Sequence, residues 1–479
     1  EFARQLLPYY DIAVIYAGNN EWVNAYYESG GMPIFNVVEH NDPEPRRKQL
    51  LQSALDEIHN KFNLFGYLDR YSRIYAISWK IIEKIKPHVS SALKESRGGV
   101  MSRDPVRRAR PSEYKKVTEE AVISTFDDLF AAGLDSIRKQ AHQLKKTVIV
   151  VGINGDELWP PYFSVVPETM AEKDVNKLNT DLQRAENLIN EDAQAEAQAL
   201  LNDALERAPK HAFANYLSGR LMLAKGNPQA AWKFLEIAVR EDGFPHRALP
   251  VLNEVSKRIA SVDTNDSFIF VDHVTLIRTL IAKGTPVRHL MADWMHPSTF
   301  NHVLIAYEVL CALSAMDKYK RMIKSDFCQL PANSSTAEKM RNDIHRRMNI
   351  TVAERNRSMK AMYRWAVLLS RLSAHPSAFY KFAESSLQYQ YPDANSNAAV
   401  KARVETLRAL FIALRGGTCR QILDALQAAR AANPAGMFDA IENPFPFPSS
   451  GFDIRQIFRN AGLPITPRAS AGQLPATCP

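Results

Sequence analysis

Three short apolar runs, rich in β-branched residues, place the strongest constraint on how this chain can fold. They are Asp11–Tyr16, Thr147–Ile153 and Ser267–Val271. Each run is largely continuous rather than alternating in hydrophobicity, which is typical of a parallel strand covered on both faces. Between the first two runs, residues 121–145 carry apolar side chains at helical spacing. Strand, helix and strand in this order predict an α/β domain built on a doubly wound parallel sheet.

Composition narrows the class of partner and the compartment. The 479 residues include 60 Lys and Arg against 52 Asp and Glu, a net charge of +8 at pH 7, which does not demand a nucleic-acid partner. The four cysteines include no closely spaced pair, so the spacing signatures of a metal knuckle, a redox dithiol and a disulfide framework are missing. We expect no metal, no cofactor and a reducing, cytoplasmic setting, since no leader-like segment opens the sequence. No run of about 18 apolar residues predicts a membrane span.

An Ala-rich helical stretch from 186 to 245 repeats itself. Small and apolar positions recur at one constant offset, with Ala197, Leu201, Ala204 and Pro209 corresponding to Ala231, Leu235, Ala238 and Gly243. The offset matches the period of tetratricopeptide repeats, about 34 residues, and the stretch resembles about one and a half repeat units. The alternative is an ordinary Ala-rich helical hairpin. Because stacked repeats need about three units for independent stability, we expect this piece to pack on the sheet domain.

A polar motif follows the first run. Gly18, Asn19 and Asn20 come where that strand should end. Open α/β sheets bind their ligands at the carboxyl ends of the strands. An asparagine side chain offers an uncharged N–H donor, the kind of group that stabilises a developing oxyanion. Gly-Asn-Asn is equally typical of a turn, so the motif alone leaves both interpretations open.

A second polar motif follows the last run. Asp293 and His296 stand three residues apart, and Pro297 keeps the pair out of a helix. A carboxylate in this position can hydrogen-bond to the imidazole, fix its tautomer and leave the other ring nitrogen free as a base. A purely structural hydrogen bond would use the same residues. His289, His296 and His302 lack an established spacing for zinc ligands.

The two motifs, in this chain order, resemble the third and fifth sequence blocks of the SGNH (GDSL-type) hydrolases. The resemblance implies a flavodoxin-like sheet and a serine-dependent enzyme that hydrolyses or transfers the acyl group of an ester or acylated substrate. It implies Asn20 as the oxyanion-hole donor, His296 as the base that deprotonates the serine, and Asp293 as the carboxylate that orients His296. Gly18 and Asn19 would support the oxyanion turn.

The resemblance covers residues 1 to 316 and lacks one block. The segment 148–164 is also similar to the middle strand and loop of the subgroup that inserts tetratricopeptide helices before its last strand. The family's Gly-Asp-Ser block precedes the asparagine motif, and Asp135-Ser136 does not replace it because it lies in a helical pattern. We therefore predict an incomplete hydrolase whose natural chain is longer at its amino end. The strand at 12–16 would then be an unpaired sheet edge, since the family's first strand lies beside it.

These inferences give a domain plan. Residues 1–185 form the first part of the α/β core, 186–245 the tetratricopeptide-like insertion, 246–318 the last part of the core, 319–440 a helical region without a chemical motif, and 441–479 a Pro-rich, extended tail. A competing hypothesis for function is a non-catalytic helical-repeat scaffold. In that hypothesis the insertion and the later helices bind a protein partner, and the sheet is an inert support.

Overall fold

The computed structural model describes residues 7–16, 120–191, 193–243, 247–262, 267–292, 294–322, 328, 331, 333–350, 375–390, 397–442 and 454–463. The chain divides into two compact units, residues 1–16 with 129–479 and residues 17–128. Of the second unit, only residues 120–128 are described. The sheet and the site considered below lie in the first unit.

Three parallel strands form the sheet in the order β1 (Ile12–Ile15), β2 (Thr147–Val151) and β3 (Phe268–Val271). Each strand lies inside the apolar run that predicted it, so the three predicted strands are confirmed. All five residues of β2 are buried, as expected for a central strand covered on both faces. The described chain is mostly helical around this small sheet, which confirms the α/β class.

The described helices are numbered in chain order. They are α1 (Glu120–Gln143), α2 (Glu172–Asn190), α3 (Gln194–Arg207), α4 (Ala212–Ala224), α5 (Pro228–Arg240), α6 (Pro250–Ser261), α7 (His273–Ala282), α8 (Val287–Leu290), α9 (Thr299–Ser314), α10 (Ser334–Arg347), α11 (Pro376–Gln390), α12 (Ala398–Leu414), α13 (Cys419–Ala432), α14 (Pro434–Glu442) and α15 (Ile454–Asn460). The helix predicted over 121–145 is confirmed as α1.

Alternate side chains of β2 bury against helices on opposite faces of the sheet. Val148 and Val150 join a core cluster with residues of α1 and α6. Ile149 and Val151 join a second cluster with residues of α9. Successive side chains of a strand point to opposite faces, so a continuous apolar run is what this two-sided core requires.

Strand β1 lies at one edge of the sheet. Among the described residues its strand partner is β2, and the Val14 side chain is 50% exposed. In the described part of the chain, β1 therefore has the edge position that the sequence predicted. Lys146, at the start of β2, pairs with the Asp11 carboxylate at 2.8 Å and fixes the entry into β1.

Helices α2 to α5 form an array that keeps the repeat offset seen in the sequence. The ends of α2 and α4, at 190 and 224, and the starts of α3 and α5, at 194 and 228, are separated by that same offset. The array thus begins at α2, ahead of residue 186. A Cβ added to Gly219 in α4 would lie 2.6 Å from Leu235 Cγ in α5, so the close approach of these helices requires glycine.

The C-terminal region differs from what the sequence predicted in two places. The tail predicted to be extended from residue 441 contains α15, so that prediction is wrong for Ile454–Asn460. The cysteine spacing gave no sign of a disulfide, yet Cys419 at the start of α13 is disulfide-bonded. Spacing reveals disulfides only where the cysteines are close in the chain, which explains the second difference.

Candidate functional site

The candidate site lies at the carboxyl edge of the sheet. Because the three strands are parallel, the segments that leave them begin at one common edge. Ile15 lies opposite Val150, and Val151 lies opposite Val271, so the strands end almost level. Tyr16 follows β1 at this edge, and burial raises the pKa of its hydroxyl to about 12. Its phenol is therefore neutral near pH 7 and can act as a hydrogen-bond donor.

The loop that carries His296 is closed on itself between α8 and α9. Met291 and Pro297 form an antiparallel bridge, and the Ala292 N–H donates to the His296 carbonyl at 2.8 Å. Helix α9 starts at Thr299, after Pro297, as the sequence predicted. His296 is exposed and lies beside the bridge that closes this loop.

One backbone hydrogen bond fastens this loop to the sheet edge. The Asp156 N–H, five residues beyond β2, donates to the Trp294 carbonyl at 2.8 Å. The Trp294 ring packs against Trp159 with centroids 5.4 Å apart. A Cβ added to Gly155 would lie 3.3 Å from Arg247 Cβ and 3.4 Å from the Trp294 carbonyl oxygen, so the small residue allows this approach. The His296 loop is thus held at the edge where the strands end.

The other predicted site residues lie outside the described residues. These are Gly18, Asn19 and Asn20 after β1, and Asp293 in the loop itself. The structure therefore places the loop that carries His296 against the segment that follows β2. The pairing of His296 with Asp293 and its distance from Asn20 stay predictions. Ser136 lies within α1, as the sequence predicted for the Asp135-Ser136 pair.

A buried histidine that the sequence analysis did not identify contacts the residues at the base of the His296 loop. His273, the first residue of α7, is fully buried, and its Nδ1 lies 2.5 Å from the Glu308 carboxylate. Its Nε2 lies 2.7 Å from Asn301 Oδ1. The Asn301 amide contacts Met291 Sδ at 3.7 Å, at the base of the His296 loop. Asn301 and Glu308 lie 28 and 35 positions from His273 in the chain, so no local sequence pattern could have predicted these contacts.

A buried ionic network fixes the segment after β2. The Asp156 carboxylate pairs with Arg288 at 2.6 Å, and both side chains are at most 4% exposed. Arg247 donates to the Asp156 and Trp159 carbonyls at 3.1 and 2.7 Å and pairs with Asp242 at 3.3 Å. Full pairing compensates the cost of burying these charges, and it holds the backbone around Asp156 in one position.

A cavity of about 200 Å³ adjoins the carboxyl ends of β2 and β3. Charges of both signs line it: Glu157, Glu236, Glu254 and Asp272 are acidic, and Arg247, Lys257 and Arg278 are basic. Arg278 spans it by pairing with Glu157 and with Glu236. His296 is not among the lining residues, so the cavity is not assigned to the predicted chemistry.

Comparisons with protein-family models, with curated proteins and with solved structures find no match to this chain. In the described part of the chain, no group of three or more His, Cys, Asp or Glu side chains could hold a metal ion. None of the helices among the described residues has the length and apolarity to cross a bilayer.

Proposed function

We propose that this chain belongs to an SGNH-type, serine-dependent ester hydrolase or acyl-transfer enzyme and is present here without the segment that carries the serine nucleophile. One observation carries the proposal: the hydrogen bond from the Asp156 N–H to the Trp294 carbonyl, at 2.8 Å. It fastens the His296 loop to the segment that follows β2, beyond the carboxyl end of that strand. The proposed chemistry requires a base and an oxyanion donor that face the same reacting carbonyl, and His296 is the described residue proposed for the first of these roles.

The three site residues have separate roles in this proposal. The serine hydroxyl attacks the ester carbonyl and gives its proton to His296, which passes it to the leaving alcohol. Asp293 orients the ring, and the Asn20 amide donates to the tetrahedral oxyanion. Water or an acceptor alcohol then releases the acyl group by the reverse proton transfers. The serine is not assigned to a residue of this chain, because the family's Gly-Asp-Ser block precedes the asparagine motif.

Two further features support the finer assignment of the fold. Three parallel strands with helices on both faces agree with part of a flavodoxin-like sheet. The paired helices α2–α3 and α4–α5, related by the repeat offset, agree with a tetratricopeptide-like insertion. The insertion also precedes β3, the last of the described strands, and the subgroup that the sequence resembles carries its insertion before its last strand.

Ester hydrolysis by the protein with its own upstream segment tests the proposal. We expect the wild type to cleave p-nitrophenyl acetate and His296→Ala to reduce kcat by about 10⁴-fold, because the base is lost. His302→Ala is the matched control, since this exposed histidine lies on α9, just beyond the loop. Its activity should stay within about twofold of the wild type.

The outcomes separate enzyme from scaffold. Equal activity of the wild type and His296→Ala would refute the assignment of the base. A wild type with no esterase activity, even with its upstream segment, would favour the non-catalytic scaffold. In that case a protein partner would need a face of the helical array other than the one covered by α11, where Ala378 joins the core of the array.

A further inference from the structure

A second cavity, of about 410 Å³, lies where α4, α8 and α11 meet. Its size falls in the range of small-molecule sites, about 300 to 1,000 Å³. The described residues that line it include Arg220, Arg288 and Lys381, and no acidic residue is among them. The wall that faces the cavity is therefore cationic.

The rest of the wall is apolar and partly aromatic. Tyr216 and Phe382 line the cavity together with Leu158, Leu223 and Val287. The Arg288 guanidinium lies 3.9 Å from the centroid of the Phe382 ring, so charge and a flat apolar surface adjoin. A ligand that fits this wall needs both an anionic group and an apolar body.

The carboxylates that pair with Lys381 and with Arg288 do not line the cavity. Lys381 pairs with Glu186 at 3.3 Å, and Arg288 pairs with Asp156 at 2.6 Å; both carboxylate side chains have zero exposure. Other donors also hold them: Ser377 binds Glu186, and the Leu158 N–H binds Asp156. They are fixed in the protein interior and are not among the described residues that line the cavity.

The cations also disfavour one another. Burial lowers the pKa of Lys381, and the positive charges of Arg415 and Arg220 lower it further against the opposite effect of Glu186. Arg220 itself stands over the Tyr216 ring, 5.7 Å from its centroid. An anion in the cavity would relieve this repulsion.

We propose that this cavity binds an organic anion, with one carboxylate, sulfonate or phosphate group on an apolar or aromatic body. The anionic group lies between Arg220 and Lys381, and the apolar body packs on Tyr216 and Phe382. The site is separate from the proposed ester chemistry, because His296 does not line it.

Calorimetric titration of the full chain with 3-phenylpropanoate tests the proposal. We expect saturable binding with a dissociation constant below about 1 mM. The neutral 3-phenylpropanamide should bind at least tenfold more weakly, and acetate should show no saturable binding, since each lacks one of the two required features. Absence of 3-phenylpropanoate binding, or equal affinity for its amide, would overturn the proposal.

Matched variants locate the site. Arg220→Gln should weaken 3-phenylpropanoate about tenfold by removing a charged donor. Lys225→Gln removes the same charge from the exposed end of α4, outside the cavity lining, and should leave the affinity unchanged. Ser385→Trp, at an exposed lining position on α11, should block the cavity without touching a charge, which keeps the test decisive if Arg220→Gln fails to fold. Equal weakening by the two charge variants, or full affinity in Ser385→Trp, would place binding elsewhere.

Discussion

Two buried histidines should make the junction between α4 and α11 sensitive to acid. His211 is the N-cap of α4, and its Nδ1 accepts the Ala214 N–H at 3.2 Å. His375 directly precedes α11 and stacks on Phe213, with ring centroids 3.8 Å apart. Burial lowers the pKa of His211 from 6.5 to about 4. Burial, together with the nearby His211, lowers the pKa of His375 to about 3.

The direction of the effect follows from proton linkage. Both folded-state pKa values lie below the value of about 6.5 expected in the unfolded chain, so the unfolded state binds protons first as the pH falls. The contribution to stability is therefore complete above pH 6.5 and is lost as the pH falls toward 4. Between pH 7 and pH 5, the linkage relation gives a loss of about 2 kcal/mol in the free energy of unfolding for each histidine. Such losses are large against a total of about 5–15 kcal/mol.

A variant that keeps the helix cap isolates this effect. His211→Asn removes the titrating ring and retains a side chain that caps helices well. Urea unfolding followed by far-UV circular dichroism at pH 7, 6 and 5 should show His211→Asn losing about 2 kcal/mol less than the wild type. His302→Asn, at an exposed position on α9, is the control and should follow the wild type. Equal pH dependence in the wild type and His211→Asn would refute the reasoning.

The remaining predictions concern packing and buried charge. Gly219→Ala should cost about 1–3 kcal/mol of unfolding free energy because its Cβ would lie 2.6 Å from Leu235 Cγ. A Cβ added to Gly133 in α1 would meet no atom within 4 Å, so Gly133→Ala should instead stabilise the protein by up to about 1 kcal/mol. Thermal unfolding of the two variants compares these effects. A more stable Gly219→Ala than Gly133→Ala would contradict the packing explanation. Arg288→Met should cost about 3–5 kcal/mol in urea unfolding by leaving the buried Asp156 carboxylate unpaired. Adding Asp156→Asn should recover most of that loss, and no recovery would assign the cost to packing.

The sequence was informative wherever one local pattern had one physical solution. The run around Thr147–Val151 could satisfy its apolar side chains on both faces only as a central strand, and it is one. Positions related by the repeat offset, such as Leu201 and Leu235, are fully buried in equivalent helices. Pro297 ended the His296 loop before α9 because proline lacks the N–H that a helix interior needs.

The sequence was silent where partners are distant in the chain. The Asp156–Arg288 pair joins residues 132 positions apart, and the His273–Glu308 contact joins residues 35 apart. Charged residues are usually solvated, so their type alone does not mark which of them will be buried and paired. The lining of the cationic cavity also depends on contacts between distant parts of the chain, because Arg220 and Lys381 belong to helices far apart in sequence.

For this protein, the sequence by itself determined the strands and most of the helices, because these follow from periodicity and local geometry. It also supplied the two motifs whose resemblance to a family underlies the proposed ester chemistry. The tertiary structure alone decided that the His296 loop is fastened to the segment after β2, and that three cations gather around one cavity. Such contacts depend on how helices and loops pack over long chain distances, where many pairings satisfy the same local rules and only the complete fold selects one.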